Sequence, residues 1–174
     1  MATLKARFVP KFPAKYMGDA TNIFARSSWE LYAMRYFDQS PAILRWGSEE
    51  LRIPYLKPYV DQLGNVRVRP ATYYPDFIIE YRAKDGQIRK AIIEIKPVKE
   101  AVSERAKTNH DKLALVVNNA KWKAAEEFAS RHGMVFQVLT ERSLFASRPK
   151  AAKRQQPGLA KGPRLARRPK ETGQ

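Results

Sequence analysis

The sequence has no cysteine, only two histidines, few acidic residues for its length and no long apolar run. The missing cysteines exclude a disulfide framework, a cysteine-ligated zinc site and thiol catalysis. No stretch approaches the roughly 18 to 20 apolar residues that a membrane-spanning helix needs. The N-terminal residues mix Lys5, Arg7 and Lys11 with Phe8, Val9 and Phe12 and hold no continuous apolar segment, so secretion is not expected. Acidic residues number 17 against 33 lysines and arginines. The resulting net charge of +16 over 174 residues points to a polyanionic partner such as nucleic acid, away from small neutral metabolites.

The length suits one domain with a sizeable core plus a tail, and the charge divides the chain accordingly. Residues 148–174 carry nine lysines and arginines against Glu171 alone, which is half of the net charge. The same stretch contains Pro149, Pro157, Pro163 and Pro169, and the last aromatic residue before it is Phe145. Too little apolar surface is present to offset the entropy of ordering, so this segment is expected to be a disordered basic tail. Arg164, Arg167 and Arg168 would contact DNA phosphates there without reading sequence. Three segments result: an N-terminal arm 1–22, a folded domain 23–147 and the tail.

Within the domain, Trp29, Tyr32, Ala33, Tyr36 and Phe37 form a helical stripe between Ile23 and Ser40, and Pro41 ends it. Ser27 and Glu30 have capping-box spacing. Leu51, Ile53 and Tyr55 alternate as a strand, which Pro54 confines to an edge or a strand end. Residues 57–70, with Pro58, Gly64, Asn65 and Pro70, read as a loop or irregular hairpin. A second helix follows from Leu113, Val116, Val117, Ala120, Ala124 and Phe128, stopped by Gly133, and a strand apolar on both faces runs from Met134 to Thr140. The order helix, strand, hairpin, helix, strand makes an α/β domain with a mixed central sheet flanked by helices.

The clearest unit is the hairpin from Tyr73 to Pro97: a strand over 76–82, a turn around Lys84, Asp85 and Gly86, and a strand over 88–96. One face is continuously apolar (Phe77, Ile79, Tyr81, Ala91, Ile93, Ile95), and the other carries Asp76, Glu94 and Lys96. A two-residue Asp-Gly loop would pair residue 77 with 94 and put the two acids on opposite faces. A three-residue loop pairing 84 with 88, or a bulge, would set Asp76 across from Lys96 with Glu94 diagonal to it. A site therefore requires an odd turn or a bulged ladder.

Two carboxylates and an ammonium on one face suit a hard divalent cation. Mg²⁺ uses one or two protein carboxylates and takes its remaining ligands from water and phosphate. A lysine beside such an ion can orient the attacking water and offset negative charge on phosphorus. Glu30, about 100° round its helix from Trp29, could add a third carboxylate. Each feature also has a plain structural account: Glu-x-Lys on a strand is often a solvated face, and Glu30 is explained as a capping residue. Arg26 is a phosphate contact or a solvated side chain. Lys121 and Lys123 flank Trp122 in a mixture that suits DNA, or are simply the exposed lysines of an ordinary amphipathic helix. His110 and His132 are expected near helix ends, away from any metal.

The motifs Lys15-Tyr-Met-Gly-Asp19, Arg26-Ser-Ser-Trp-Glu30, Trp46-Gly-Ser-Glu-Glu50, Tyr73-Tyr-Pro-Asp-Phe77 and Glu94-Ile-Lys-Pro97 resemble, in order, those of the head-completion nucleases of T-even-like tailed bacteriophages. The resemblance runs from about Lys11 to Glu141 and places the chain in the PD-(D/E)xK superfamily, with its restriction-endonuclease-like core. It implies that Asp76 and Glu94 are metal ligands, that Lys96 positions water, and that Glu30 assists the metal. It implies a Mg²⁺-dependent DNA endonuclease, with Mn²⁺ as a substitute, that processes the end of packaged double-stranded DNA before neck and tail joining. Portal or neck proteins would be partners, and the location would be the host cytoplasm during assembly or the virion. Two other readings are a transposon-end or junction-cutting nuclease of the same superfamily and a noncatalytic DNA-end-binding neck protein.

Overall fold

The computed structural model describes residues 5–96 and 108–140. The basic tail, with Arg164, Arg167 and Arg168, lies outside the described residues. Strand β1 (Ala6–Phe8) pairs antiparallel with β2 (Ile23–Ala25), and helix α1 (Ser28–Gln39) follows. Next come β3 (Ile43–Ser48), the long strands β4 (Ile53–Val60) and β5 (Val66–Tyr73), and the hairpin β6 (Phe77–Arg82) and β7 (Ile88–Ile95). Helix α2 (Asn109–Arg131) and β8 (Val135–Leu139) complete the unit.

The central sheet has the order β3-β6-β7-β8, antiparallel except for the parallel pair β7-β8, which makes it the expected mixed sheet. On one face Trp46, Phe77, Ile79, Ala91 and Ile93 pack under Ala33, Met34 and Phe37 of α1. Trp46 is fully buried, with Tyr16 and Phe8 edge-on to it at ring separations of 4.8 and 5.7 Å. Each such large side chain contributes about 1.5–3 kcal/mol by leaving water. Segment 1–22, expected as an arm, thus supplies Phe8 and Tyr16 to the core. On the opposite face Ile92 packs with Ala125 and Ala129 of α2 and with Ile53, Tyr55 and Tyr73 of the β4-β5 ribbon.

Three local differences from the sequence reading have physical causes. Residues 23–25 are strand, because Ile23 and Ala25 are buried while Phe24 between them is exposed, a period of two. The helix begins only where the Ser27 hydroxyl accepts the Glu30 amide at 3.1 Å. Its buried stripe is Ala33, Met34, Phe37 and Asp38, rotated from the expected one, and Tyr36 is exposed. That rotation carries Glu30 onto the buried side. Residues 57–60 and 66–70 belong to a regular eight-pair ladder running from Ile53–Tyr73 to Val60–Val66, joined by the turn 61–65. Pro58 and Pro70 are tolerated because a two-stranded ribbon has free edges, where a missing N–H breaks no ladder bond.

Two of the sequence motifs prove to be structural. Lys15 donates from Nζ to the carbonyls of Phe37, Asp38 and Ser40 at 3.0, 2.8 and 2.9 Å, closing the C-terminus of α1 where the helix dipole is negative. Buried Asp38 accepts the amides of Lys11 and Phe12 at 2.7 and 3.1 Å, tying the N-terminal segment to the helix. Gly18 lies against the Glu50 carboxylate, where a Cβ would collide, while the Tyr16 hydroxyl donates to Glu50 at 3.0 Å.

Candidate metal centre

Helix α1, the β6-β7 hairpin, β5 and α2 meet at the end of the sheet where β6 begins and β7 ends. The hairpin turn fixes the arrangement. Its loop is Lys84-Asp85-Gly86, closed by an amide-to-carbonyl bond from Ala83 to Gln87, with Gly86 in the left-handed conformation that a side chain would disfavour. The loop has the odd count that a site requires, but it closes one position earlier than expected. Phe77 therefore pairs with Ile93, and the next step of the ladder sets Asp76 opposite Glu94 where the sequence reading had Lys96.

Asp76 is held at two points. Its carbonyl accepts the Glu49 amide at 3.2 Å, and its Oδ2 accepts the Ile95 amide at 2.6 Å. Glu94 is only 5% exposed; its Oε2 accepts the Tyr73 hydroxyl at 2.6 Å, and its Oε1 lies 3.2 Å from Lys96 Nζ. Burial, and after it the charge of Glu94, pushes the Asp76 carboxyl up to about 7 against the pull of the Ile95 amide; Glu30 adds to the upward push and Lys96 opposes it. The Tyr73 hydroxyl is raised too, chiefly by burial and then by the charge of Glu94, so it stays a donor.

Glu30 comes within electrostatic reach of Asp76 but is engaged elsewhere. Its Oε2 accepts the Arg26 amide at 2.8 Å and its Oε1 accepts the Ser27 hydroxyl at 2.9 Å. The carboxylate reaches back one residue beyond the ordinary capping box. Arg26 in turn is ion-paired with Glu49 at 2.5 Å in an exposed setting.

Lys121 and Lys123 separate. Lys121 lies over the Tyr73 ring, 5.6 Å from its centroid, and burial lowers its pKa while Glu94 raises it; Lys96 and Lys57 lower it further and Asp76 raises it. Lys121 is thus part of the site, whereas Lys123 is exposed on another side of α2. Sequence reasoning gave no role to Tyr73 or Lys57. The signal for Tyr73 was its place three residues before Asp76 in an already quoted motif. Nothing marked Lys57, because its stretch read as a loop or an irregular hairpin with no assigned faces. His132 behaves as expected, closing α2 with its ring against Phe128 and Nδ1 2.8 Å from the Phe128 carbonyl.

Asp76 and Glu94 fit a divalent cation. They are facing, largely buried carboxylates whose mutual repulsion a cation would relieve, and hard oxygen is the donor such an ion takes. Among the described residues no three of His, Cys, Asp and Glu form a group able to hold a metal ion; the candidate donors are the two carboxylates, with Glu30 nearby.

The family relationship matches this geometry. The model of the TnsA-like endonuclease N-terminal family matches residues 40–141, a span that includes Asp76, Glu94 and Lys96 and excludes Glu30. The chain is also 33% identical over 150 residues to the head completion nuclease of Enterobacteria phage T4, covering 80% of this chain and 93% of that protein. A mixed sheet with flanking helices, two facing acids with a lysine beside them, and these two matches together place the chain in the TnsA-like endonuclease family, as a homologue of the phage T4 head completion nuclease.

Proposed function

We propose that this protein is a metal-dependent DNA endonuclease that processes the end of packaged DNA during phage head completion. The observation that carries the reading is the meeting of Asp76 and Glu94 across the β6-β7 ladder, with Lys96 Nζ 3.2 Å from Glu94. Family membership supports the nuclease chemistry, and the homologue's name supports head completion.

Asp76 and Glu94 would hold Mg²⁺, with Mn²⁺ as a substitute. When bound, the ion supplies Lewis-acid activation and offsets charge on the phosphodiester. The chain's own groups do the positioning. The Ile95 amide fixes the rotamer of Asp76, and the Tyr73 hydroxyl fixes Glu94. Lys96 orients the attacking water and offers a proton donor beside the scissile phosphate, while Lys121 supplies a second positive charge. Glu30 contributes charge at longer range from the helix cap. Arg26 is placed for phosphate contact once its exposed pair with Glu49 opens.

The test is cleavage of linear duplex DNA with and without Mg²⁺, using wild type beside Glu94→Ala and Lys96→Ala. Loss of cleavage in Glu94→Ala with retained salt-sensitive binding is expected; undiminished cleavage would remove the assignment. The family match keeps a transposon-end or junction-cutting nuclease in view. A requirement for branched DNA or for a second protein would favour that reading. Absence of any metal effect on protein or DNA would favour a noncatalytic neck component.

A further inference from the structure

The β4-β5 ribbon has two unlike faces, and its register assigns every residue to one of them. Opposite pairs share a face, so Ile53 with Tyr73, Tyr55 with Ala71, Lys57 with Arg69, and Tyr59 with Arg67 form one continuous strip. At its inner end this strip is Tyr73, which donates to Glu94, and Ile53 and Tyr55, which are buried against α2. Two pairs further out it becomes basic and aromatic. Arg69 lies over the Tyr59 ring, 5.4 Å from the centroid. Arg67 is steadied by Asp61, Nε to Oδ2 at 3.2 Å, yet its side chain is 61% exposed. The other face has no charge: Leu56, Val60, Val66 and Val68 are exposed there, among Pro54, Pro58 and Pro70.

We propose that this ribbon is a DNA arm whose Lys57-Tyr59-Arg67-Arg69 face lies along the phosphate backbone of the duplex beside the cleavage point. The inference rests on the nuclease reading for what lies at its inner end. It deepens that reading by naming a binding surface for the substrate. Charge complementarity selects the occupant. Three cations share one face, Arg69 held by the Tyr59 ring, Arg67 by Asp61, and Lys57 nearer the site, and their spacing matches a row of phosphates. Reach supports it as well. Six residues separate Tyr73 from Arg67, about 20 Å at strand rise, which is roughly six base pairs of duplex at about 3.4 Å each. A single chain would then grip DNA both at the carboxylate pair and half a helical turn away.

The experiment measures binding to a fluorescein-labelled 40-base-pair linear duplex by anisotropy in EDTA, across 50 to 300 mM NaCl, where no cleavage intervenes. Arg67→Glu/Arg69→Glu should weaken binding at least tenfold. Arg67→Gln/Arg69→Gln should flatten the plot of log affinity against log salt by nearly two, since each phosphate contact contributes about 0.9. The matched control is Lys84→Glu/Arg89→Glu on the β6-β7 turn, at the far end of the sheet, which should change affinity less than threefold. Equal losses in the two charge reversals, or an unchanged salt slope in the glutamine variant, would overturn the arm. All four side chains are exposed, and thermal melts of each variant identify any that misfolds. With Mg²⁺ added, the arm variants should show a raised KM and a single-turnover rate at saturating protein within threefold of wild type. A wild type that binds but never cleaves would refute the nuclease reading alone, because the arm is judged in EDTA.

Discussion

Asp76→Asn should make the metal-free protein more stable while abolishing its cleavage. In the fold the Asp76 carboxyl is raised to about 7 from 3.8, first by burial and second by Glu94. A group raised in this way binds its proton more tightly in the folded state. The folded protein therefore loses stability as pH climbs from about 4 to about 7, and the full penalty applies above that. At about 1.4 kcal/mol per pH unit the ceiling at pH 8 is about 4 kcal/mol. Relaxation around the site and the lost attraction of Lys96 reduce it to about 1–3 kcal/mol. Asparagine keeps a carbonyl oxygen for the Ile95 amide and removes only the charge. For a protein of this size each kcal/mol is worth roughly 2–4 °C, so melting in EDTA at pH 8 should rise by about 3–10 °C. The gain should shrink as pH falls and vanish near pH 4. Millimolar Mg²⁺ should raise the wild-type melting temperature and leave the variant unchanged, and cleavage should fall by at least a hundredfold. A variant less stable than wild type at pH 8, or a difference independent of pH, would show that the two acids do not strain the fold.

The remaining expectations concern side chains around that pair. Tyr73→Phe deprives buried Glu94 of a donor, costing about 1–3 kcal/mol, and should shift single-turnover cleavage to higher Mg²⁺; an unchanged Mg²⁺ dependence would mean that the hydroxyl does not orient Glu94. Lys121→Met should slow cleavage about tenfold, whereas Lys123→Met, which alters the neighbouring exposed cation, should leave the rate alone. Equal effects from the two would reduce both to general charge. Lys15→Met removes three bonds to helix-terminal carbonyls and should lower stability by about 1.5–3 kcal/mol, seen as an earlier urea midpoint, with cleavage per folded molecule unchanged.

What was legible in the sequence followed from periodicity and local chemistry. The alternation of Phe77 to Arg82 and of Ile88 to Ile95 gave both strands and their faces, and Ser27 gave the start of α1. Less legible were elements whose signal depends on distant partners. Ile23 to Ala25 is apolar at all three positions, so its sequence shows no alternation, and its strand geometry depends on Ala6 to Phe8 lying beside it. The β4-β5 ribbon was hidden by its prolines, which oppose a central strand but not a free edge. Lys121 and Lys123 look alike in sequence; only the orientation of α2 separates the one above Tyr73 from the one in solvent. For Glu30 both accounts offered by the sequence hold in part. It caps the helix through Arg26 and Ser27, and its charge still reaches Asp76.

Register explains why the two acids were the hardest feature to place and the most informative once placed. Shifting the β6-β7 pairing by one residue would turn Glu94 into the apolar core beside Phe77 and α1, in the place of Ile93, where an unpaired carboxylate is costly. The observed pairing instead sets two acids face to face, which is also unfavourable in the absence of a cation; burial first, and the charge of Glu94 second, raise the Asp76 carboxyl. The surroundings enforce that arrangement. The three-residue loop sets the ladder, Ile95 and Glu49 hold Asp76 from two sides, and Tyr73 and Lys96 hold Glu94. A fold that merely tolerated acids at this edge would let them turn to solvent, as Glu126 and Glu127 do on α2. Holding them inward with four separate contacts is consistent with a site preorganised for a cation and a phosphodiester, and the lysines around it lie where the substrate's charge would otherwise be repelled.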